Sequence, residues 1–131
     1  MNEIQSFPEK RVLLLKMWGT VTRDELLALM PRMGAACAKF GGSPFAMIAD
    51  MRDLHPLAPD VAELLGQGIA MSRKSGVAVC AHLSSSGIIR LQANRVSREV
   101  TAGDASVIDV VSIAEAWRVI AERAEISSGL T

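Results

Sequence analysis

This chain is most informative first for what it lacks. It has no net charge: 14 basic residues balance 14 acidic ones. No global field therefore draws it to nucleic acid or to anionic lipid, although local patches stay open. It has only two cysteines, Cys37 and Cys80. A disulfide framework needs more of them in a smaller, loop-rich chain. Both sit in apolar runs, the usual setting of buried packing thiols in a reducing cytoplasm. Its apolar runs are about eight residues long and broken by charge, whereas a bilayer span needs about twenty. Met1-Asn2-Glu3-Ile4 lacks the basic stretch and apolar core of a signal peptide. No repeat, linker or low-complexity tract is visible. The expectations are a cytoplasmic protein with no membrane insertion and no nucleic-acid partner.

What is present is a core. Half of the 131 residues are hydrophobic, which suits one folded domain over 1–131, frayed at about 127–131. Ile4 to Phe7 and Val12 to Trp18 read as strands joined by a turn at Pro8-Glu9-Lys10. Thr22 and Glu25 form a capping box for a helix carrying Leu26, Met30, Met33 and Cys37. Pro31 falls inside it and predicts a kink or tightening. Gly41-Gly42-Ser43-Pro44 stops it. Phe45 to Met51 is a buried strand. Pro59 opens a helix with Val61, Leu64, Leu65 and Gly68 along one side. Gly76 stops that helix. Val77 to Leu83 is another buried strand. Ser84-Ser85-Ser86-Gly87 introduces a helix to about Val100. Val107 to Val111 is the last strand, and Ser112 with Glu115 caps a final helix bearing Trp117 and Ile120. The order ββαβαβαβα predicts a single α/β domain. Its sheet is mostly parallel, with four or five strands, an antiparallel N-terminal edge and about four helices.

Several segments together resemble the STAS-like family, also called SpoIIAA-like or anti-sigma-factor-antagonist-like. They are Ala49-Asp50-Met51-Arg52-Asp53-Leu54, the small-residue helix after Pro59, Arg90-Leu91-Gln92-Ala93-Asn94-Arg95, and Ile113-Ala114-Glu115-Ala116-Trp117. The likeness spans roughly residues 4 to 124, and the element order agrees. It implies a small regulatory domain that works through protein contacts, without catalysis and without a cofactor. In switching members a serine near the start of the helix after the third strand is phosphorylated. The matching stretch here, Leu57-Ala58-Pro59-Asp60-Val61, has no serine or threonine. Asp60 could imitate a permanent negative charge there, but acids in a first helical turn are also ordinary dipole partners.

Other groupings bear on chemistry. Asp50, Asp53 and His55 are of the types that bind divalent metal; the plainer reading is Asp50 as a strand-end cap, Asp53 paired with Arg52 or a helix terminus, and His55 exposed before Pro56. Ser84, Ser85, Ser86 and Gly87 gather hydroxyls and amides at a helix start, with Arg90 one turn on. An anion is favoured there, as is an ordinary serine cap. No phosphate-loop or dinucleotide fingerprint accompanies them. Cys80 and His82 share one face of a strand, but in a run that reads as core. No nucleophile elbow exists.

The helix from Gly87 carries a second outward stripe of Ile88, Leu91 and Arg95, with Arg98 at its edge. One buried stripe suffices to cover a sheet, and arginine is enriched at interfaces. Gly66 and Gly68, costly inside a helix, suggest close approach by another backbone. The sequence therefore predicts a non-catalytic bacterial module contacting a protein partner or itself as a homodimer. The contact surface would be Ile88, Leu91, Arg95 and Arg98, joined by Gly66 and Gly68. The alternative is a sensor of a small anionic or lipid-like ligand held near Asp50, Asp53 and Ser84 to Arg90, at the carboxyl ends of the strands.

Overall fold

The computed structural model describes residues 1–83 and 107–129, with side chains to residue 123. Strands β1 (Asn2–Phe7) and β2 (Val12–Gly19) form an antiparallel hairpin around a 3-10 turn at Pro8–Lys10. Arg11 closes the turn in the left-handed region, φ 55°. Helix α1 (Arg23–Ala38) leads to β3 (Phe45–Leu54), and α2 (Pro59–Lys74) leads to β4 (Val77–Leu83). Strand β5 (Val107–Val110) precedes α3 (Ile113–Gly129). The sheet order is β1-β2-β3-β4-β5, with β2 to β5 all parallel.

The expected order is observed throughout the described residues, including the antiparallel edge. The helix predicted after Ser86 lies outside them. Strand β3 runs on to Leu54, because Met51 and Leu54 both bury on the same side across a register shift opposite Lys16 and Trp18. Helix α1 passes through Pro31 without a break in its assignment. Helix α3 continues through Gly129, beyond the point where fraying is expected.

The caps form as their spacing predicts, with a twist in each reciprocal half. Glu25 N–H donates to Thr22 Oγ1 at 3.1 Å, but the Glu25 carboxylate takes the N-terminal ammonium of Met1 at 2.9 Å instead of a cap amide. At α3, Glu115 N–H donates to Ser112 Oγ, and the Glu115 carboxylate accepts from Val111 N–H, both at 3.1 Å. Gly76 ends the connection after α2 at φ +115°.

Alternation along the strands gives each face its own core. Leu15, Met17, Ala49 and Met51 pack under α1 and α2, against Leu26, Leu29, Val61, Leu64 and Leu65. On the other face Val12, Ile48, Ala81, Leu83 and Val110 pack under α3, against Ala116 and Ile120. Trp117 extends that core to the hairpin. It meets Phe7 edge-on at 5.1 Å, with the Lys10 ammonium 5.0 Å from its ring centroid. Aromatic pairs of this geometry contribute about 0.5–1.5 kcal/mol beyond burial.

Candidate functional site

The carboxyl ends of β2 and β3 carry polar residues on the α3 side of the sheet. Asp50 lies inside β3, opposite Lys16, and is 4% exposed. It is held by Arg52, two residues along the same strand. Arg52 Nε donates to Oδ1 at 3.0 Å and Nη2 to Oδ2 at 2.9 Å, while the Arg52 backbone N–H donates to Oδ1 at 3.3 Å. Burial alone would raise the Asp50 pKa. The hydrogen bonds from Arg52 and the positive charges of Arg52 and Lys16 outweigh it and hold the carboxyl below its ordinary value. The same pairing raises the pKa of Arg52. Asp50 is thus an internal anchor for Arg52 rather than a strand-end cap.

Beside this fork, Lys16 lies 5.6 Å from the Trp18 ring centroid, and both side chains are partly exposed. Asp53 is exposed and pairs in register with Trp18. His55 is exposed as expected, with Nδ1 3.0 Å from Thr20 Oγ1. Asp50, Asp53 and His55 therefore do not converge. Among the described residues no three His, Cys, Asp or Glu side chains group as metal ligands.

On the opposite face, among the described residues, α1 and α2 leave a gap over the sheet. A cavity of about 120 Å³ lies between α1, α2 and strands β2 to β5. Its walls are apolar and rich in sulfur: Leu29, Met33, Cys37, Met47, Leu65 and Cys80 among them. Among the described residues, Ser72, Arg73, Ser75 and His82 supply its polar side chains. The ligand alternative drawn from the sequence lies near Asp50, Asp53 and Ser84 to Arg90; Asp50 is on the other side of β3 from this cavity, which Met47, Ala49 and Met51 line, and Ser84 to Arg90 lie outside the described residues. No periodicity announces the cavity, because it is a mismatch between elements distant in sequence.

Cys80 and His82 do share a face, as predicted, and both line this cavity. His82 approaches Asp109 of β5, Nδ1 to Oδ1 3.9 Å. Burial pushes the Cys80 thiol up to about 12, against the opposing pull of Arg73. Burial raises Cys37 as well. A protonated thiol is a poor nucleophile, so neither is activated.

Of the remaining residues singled out above, Gly66 is buried in α2. Gly68 borders the cavity, and no described atom lies within 4 Å of a Cβ built on it. Ser84, Ser85, Ser86, Gly87, Arg90, Ile88, Leu91, Arg95 and Arg98 lie outside the described residues.

A five-stranded sheet with an antiparallel N-terminal pair, α1 and α2 on one face and α3 on the other, is the SpoIIAA-like fold, as the sequence resemblance implies. One solved structure that shares it is a protein of the DUF3478 family from Shewanella loihica PV-4, described as uncharacterized with a SpoIIAA-like fold. It superposes with a TM-score of 0.67 at 17% identity, covering 92% of each chain. Another is the anti-sigma factor antagonist SpoIIAA in its unphosphorylated form. The TM-score is 0.59 at 13% identity, over 91% of this chain and 96% of that one. No family model and no curated protein matches the sequence. Among the described residues no helix is long and apolar enough to cross a membrane.

Proposed function

We propose that this chain is a non-catalytic regulatory module of the bacterial cytoplasm that works through protein contacts, with a partner or with a second copy. The observation that carries the reading is the uncovered part of the α3 side of the sheet. Helix α3 packs on β4 and β5. Towards β1 and the carboxyl ends of β2 and β3, Glu3, Gln5 and Asp53 are exposed, and Lys16, Trp18 and Arg52 are partly so. A tryptophan beside an arginine already oriented by a buried carboxylate is the composition of an interface anchor. Pre-orientation of Arg52 also lowers the entropy lost on contact. The fold shared with an anti-sigma factor antagonist supports the same reading.

The segment Leu57–Val61 begins α2 with Ala58 at the cap and Asp60 in the first turn. A hydroxyl to phosphorylate is missing there, so control at that position would be constitutive. Ile88, Leu91, Arg95 and Arg98, the stripe read from the sequence, form the second surface this reading assigns.

The test compares wild type with Trp18→Ser/Arg52→Glu and, separately, Leu91→Asp/Arg95→Glu. Sedimentation velocity measures self-association, and affinity capture from bacterial lysate with mass spectrometry measures partners. The expected result is one defined complex lost in at least one double variant, with circular dichroism unchanged. A complex equally retained by both variants overturns the surfaces, and a monomer that captures nothing overturns the reading.

A further inference from the structure

We propose that the outer edge of β1 pairs with the same edge of a second copy of this chain, joining two sheets into one across a two-fold axis. This deepens the reading above by naming the second copy and the strand it uses. Met1 and Trp18 exchange both backbone hydrogen bonds, at 3.0 Å each. An antiparallel ladder alternates, so Glu3, Gln5 and Phe7 likewise bond inward to Lys16, Leu14 and Val12. The amides and carbonyls of Asn2, Ile4 and Ser6 therefore point away from β2. Among the described residues no backbone group meets them. Arg32 Nη1 donates to Asn2 Oδ1 at 2.7 Å, which engages that side chain and leaves its backbone open. Strands β2 and β3 stand between this edge and β4 and β5, the strands that flank residues 84–106. Such an edge templates further pairing unless proline, lysine, a bulge or a very short strand blunts it. Strand β1 contains neither proline nor lysine, and its 6 residues pair with β2 in unbroken register.

Register selects a second copy as the occupant. Two-fold pairing that turns Asn2, Ile4 and Ser6 towards their counterparts allows few alignments. Centred on Ile4, it sets Ile4 against Ile4 and Asn2 against Ser6 of the second copy. Exposed Glu3 then lies opposite exposed Gln5 at both ends, a carboxylate facing an amide donor. Centred on Glu3, the pairing sets two carboxylates against each other. Centred on Gln5, it brings Asn2 opposite Pro8, which has no N–H to donate. The Ile4 register alone joins all three outward residues without opposing like charges. The chain has no net charge, so two copies meet no overall repulsion. The joined sheet would carry both Trp18 surfaces on one face.

Sedimentation velocity over a concentration series reads the association, and amide hydrogen exchange places it. The expected result is a concentration-dependent dimer. Its Ile4 and Ser6 amides become protected as it forms, while those of Glu3, Gln5 and Phe7 are protected throughout. Ser6→Pro removes an outward amide and no bond to β2, so it should abolish the dimer and leave a folded monomer by circular dichroism. Gln5→Lys should tighten the dimer and Gln5→Glu weaken it, each by roughly two- to thirtyfold, since the pair with Glu3 occurs twice. Four results would overturn the proposal: a monomer at every concentration, a dimer whose Ile4 and Ser6 amides exchange freely, a dimer insensitive to Ser6→Pro, or Gln5→Lys no tighter than Gln5→Glu. A monomer that still captures a partner from lysate sinks the edge pairing alone and leaves the wider reading standing.

Discussion

Two glycines at the two ends of one structural problem should respond in opposite directions to the same substitution. Gly68 is an interior position of α2, where glycine costs up to about 1 kcal/mol relative to alanine through backbone entropy. A methyl group added there meets no described atom within 4 Å. Nothing offsets the propensity gain, so Gly68→Ala should stabilise the fold by about 0.5–1 kcal/mol. For a chain of 131 residues that corresponds to a rise in Tm of roughly 2–4 °C. Gly76 has φ +115°, and its Cβ would sit 3.3 Å from the Ser43 carbonyl oxygen and 3.5 Å from the Phe45 ring. A side chain is strained in that backbone region and has backbone as its neighbour. Gly76→Ala should therefore destabilise by about 1–3 kcal/mol. Thermal and urea denaturation followed by circular dichroism read both. A destabilised Gly68→Ala would mean that the space above α2 is closed in solution, and a neutral Gly76→Ala would mean that the turn relaxes at no cost. Either result refutes the packing argument.

The Asp50–Arg52 fork makes stability depend on acid. The folded pKa of Asp50 lies below its ordinary value, so its contribution is full above about pH 4 and fades as the pH falls through the folded pKa. Wild type should progressively lose its advantage over Asp50→Asn as the pH falls below about 4, measured by urea midpoints across pH; a difference that stays constant on acidification would contradict the paired carboxylate. At Cys80, a thiol near 12 is almost wholly protonated at pH 8. Its alkylation by iodoacetamide should be about a thousandfold slower than in the urea-unfolded chain, judged by thiolate fraction alone. Mass spectrometry of the Cys80 peptide measures this, and comparable rates in the two states would mean an exposed, unperturbed thiol.

The features legible in the sequence are local or periodic. Thr22 with Glu25 and Ser112 with Glu115 announce helix starts because a cap needs only three residues of spacing. Alternation along a strand is enough to place Cys80 and His82 on one face. The partners of charged side chains are less legible. Glu25 leaves its own cap for the Met1 ammonium because the β1 edge brings that group alongside α1, a contact between segments 24 residues apart. Asp50 reads as a terminal acid, yet β3 continues past it through the shift at Lys16 and Trp18, which turns it inward against Arg52. Gly68 reads as a site of contact because glycine inside a helix is costly. The same cost fits a different use, since a missing side chain also leaves a void, and sequence cannot distinguish a gap that is filled from one that stays open.

Strand β3 shows how one sheet can hold two unrelated surfaces. Its residues alternate between Met47, Ala49 and Met51 beneath the cavity and Ile48, Asp50 and Arg52 on the α3 side. The two sets share a backbone and point to opposite faces of the sheet, so occupying the cavity would reach Arg52 through the strand itself. A ligand shifts such an equilibrium only by its difference in affinity between the two strand positions. The point of least resistance is the register shift between β2 and β3 at Lys16 and Trp18. The regular ladder is already interrupted there, and it lies next to the Asp50–Arg52 fork. That irregularity, and not the continuous ladder from Val12 to Lys16, is therefore where a displacement of β3 would be felt first at Arg52 and Trp18.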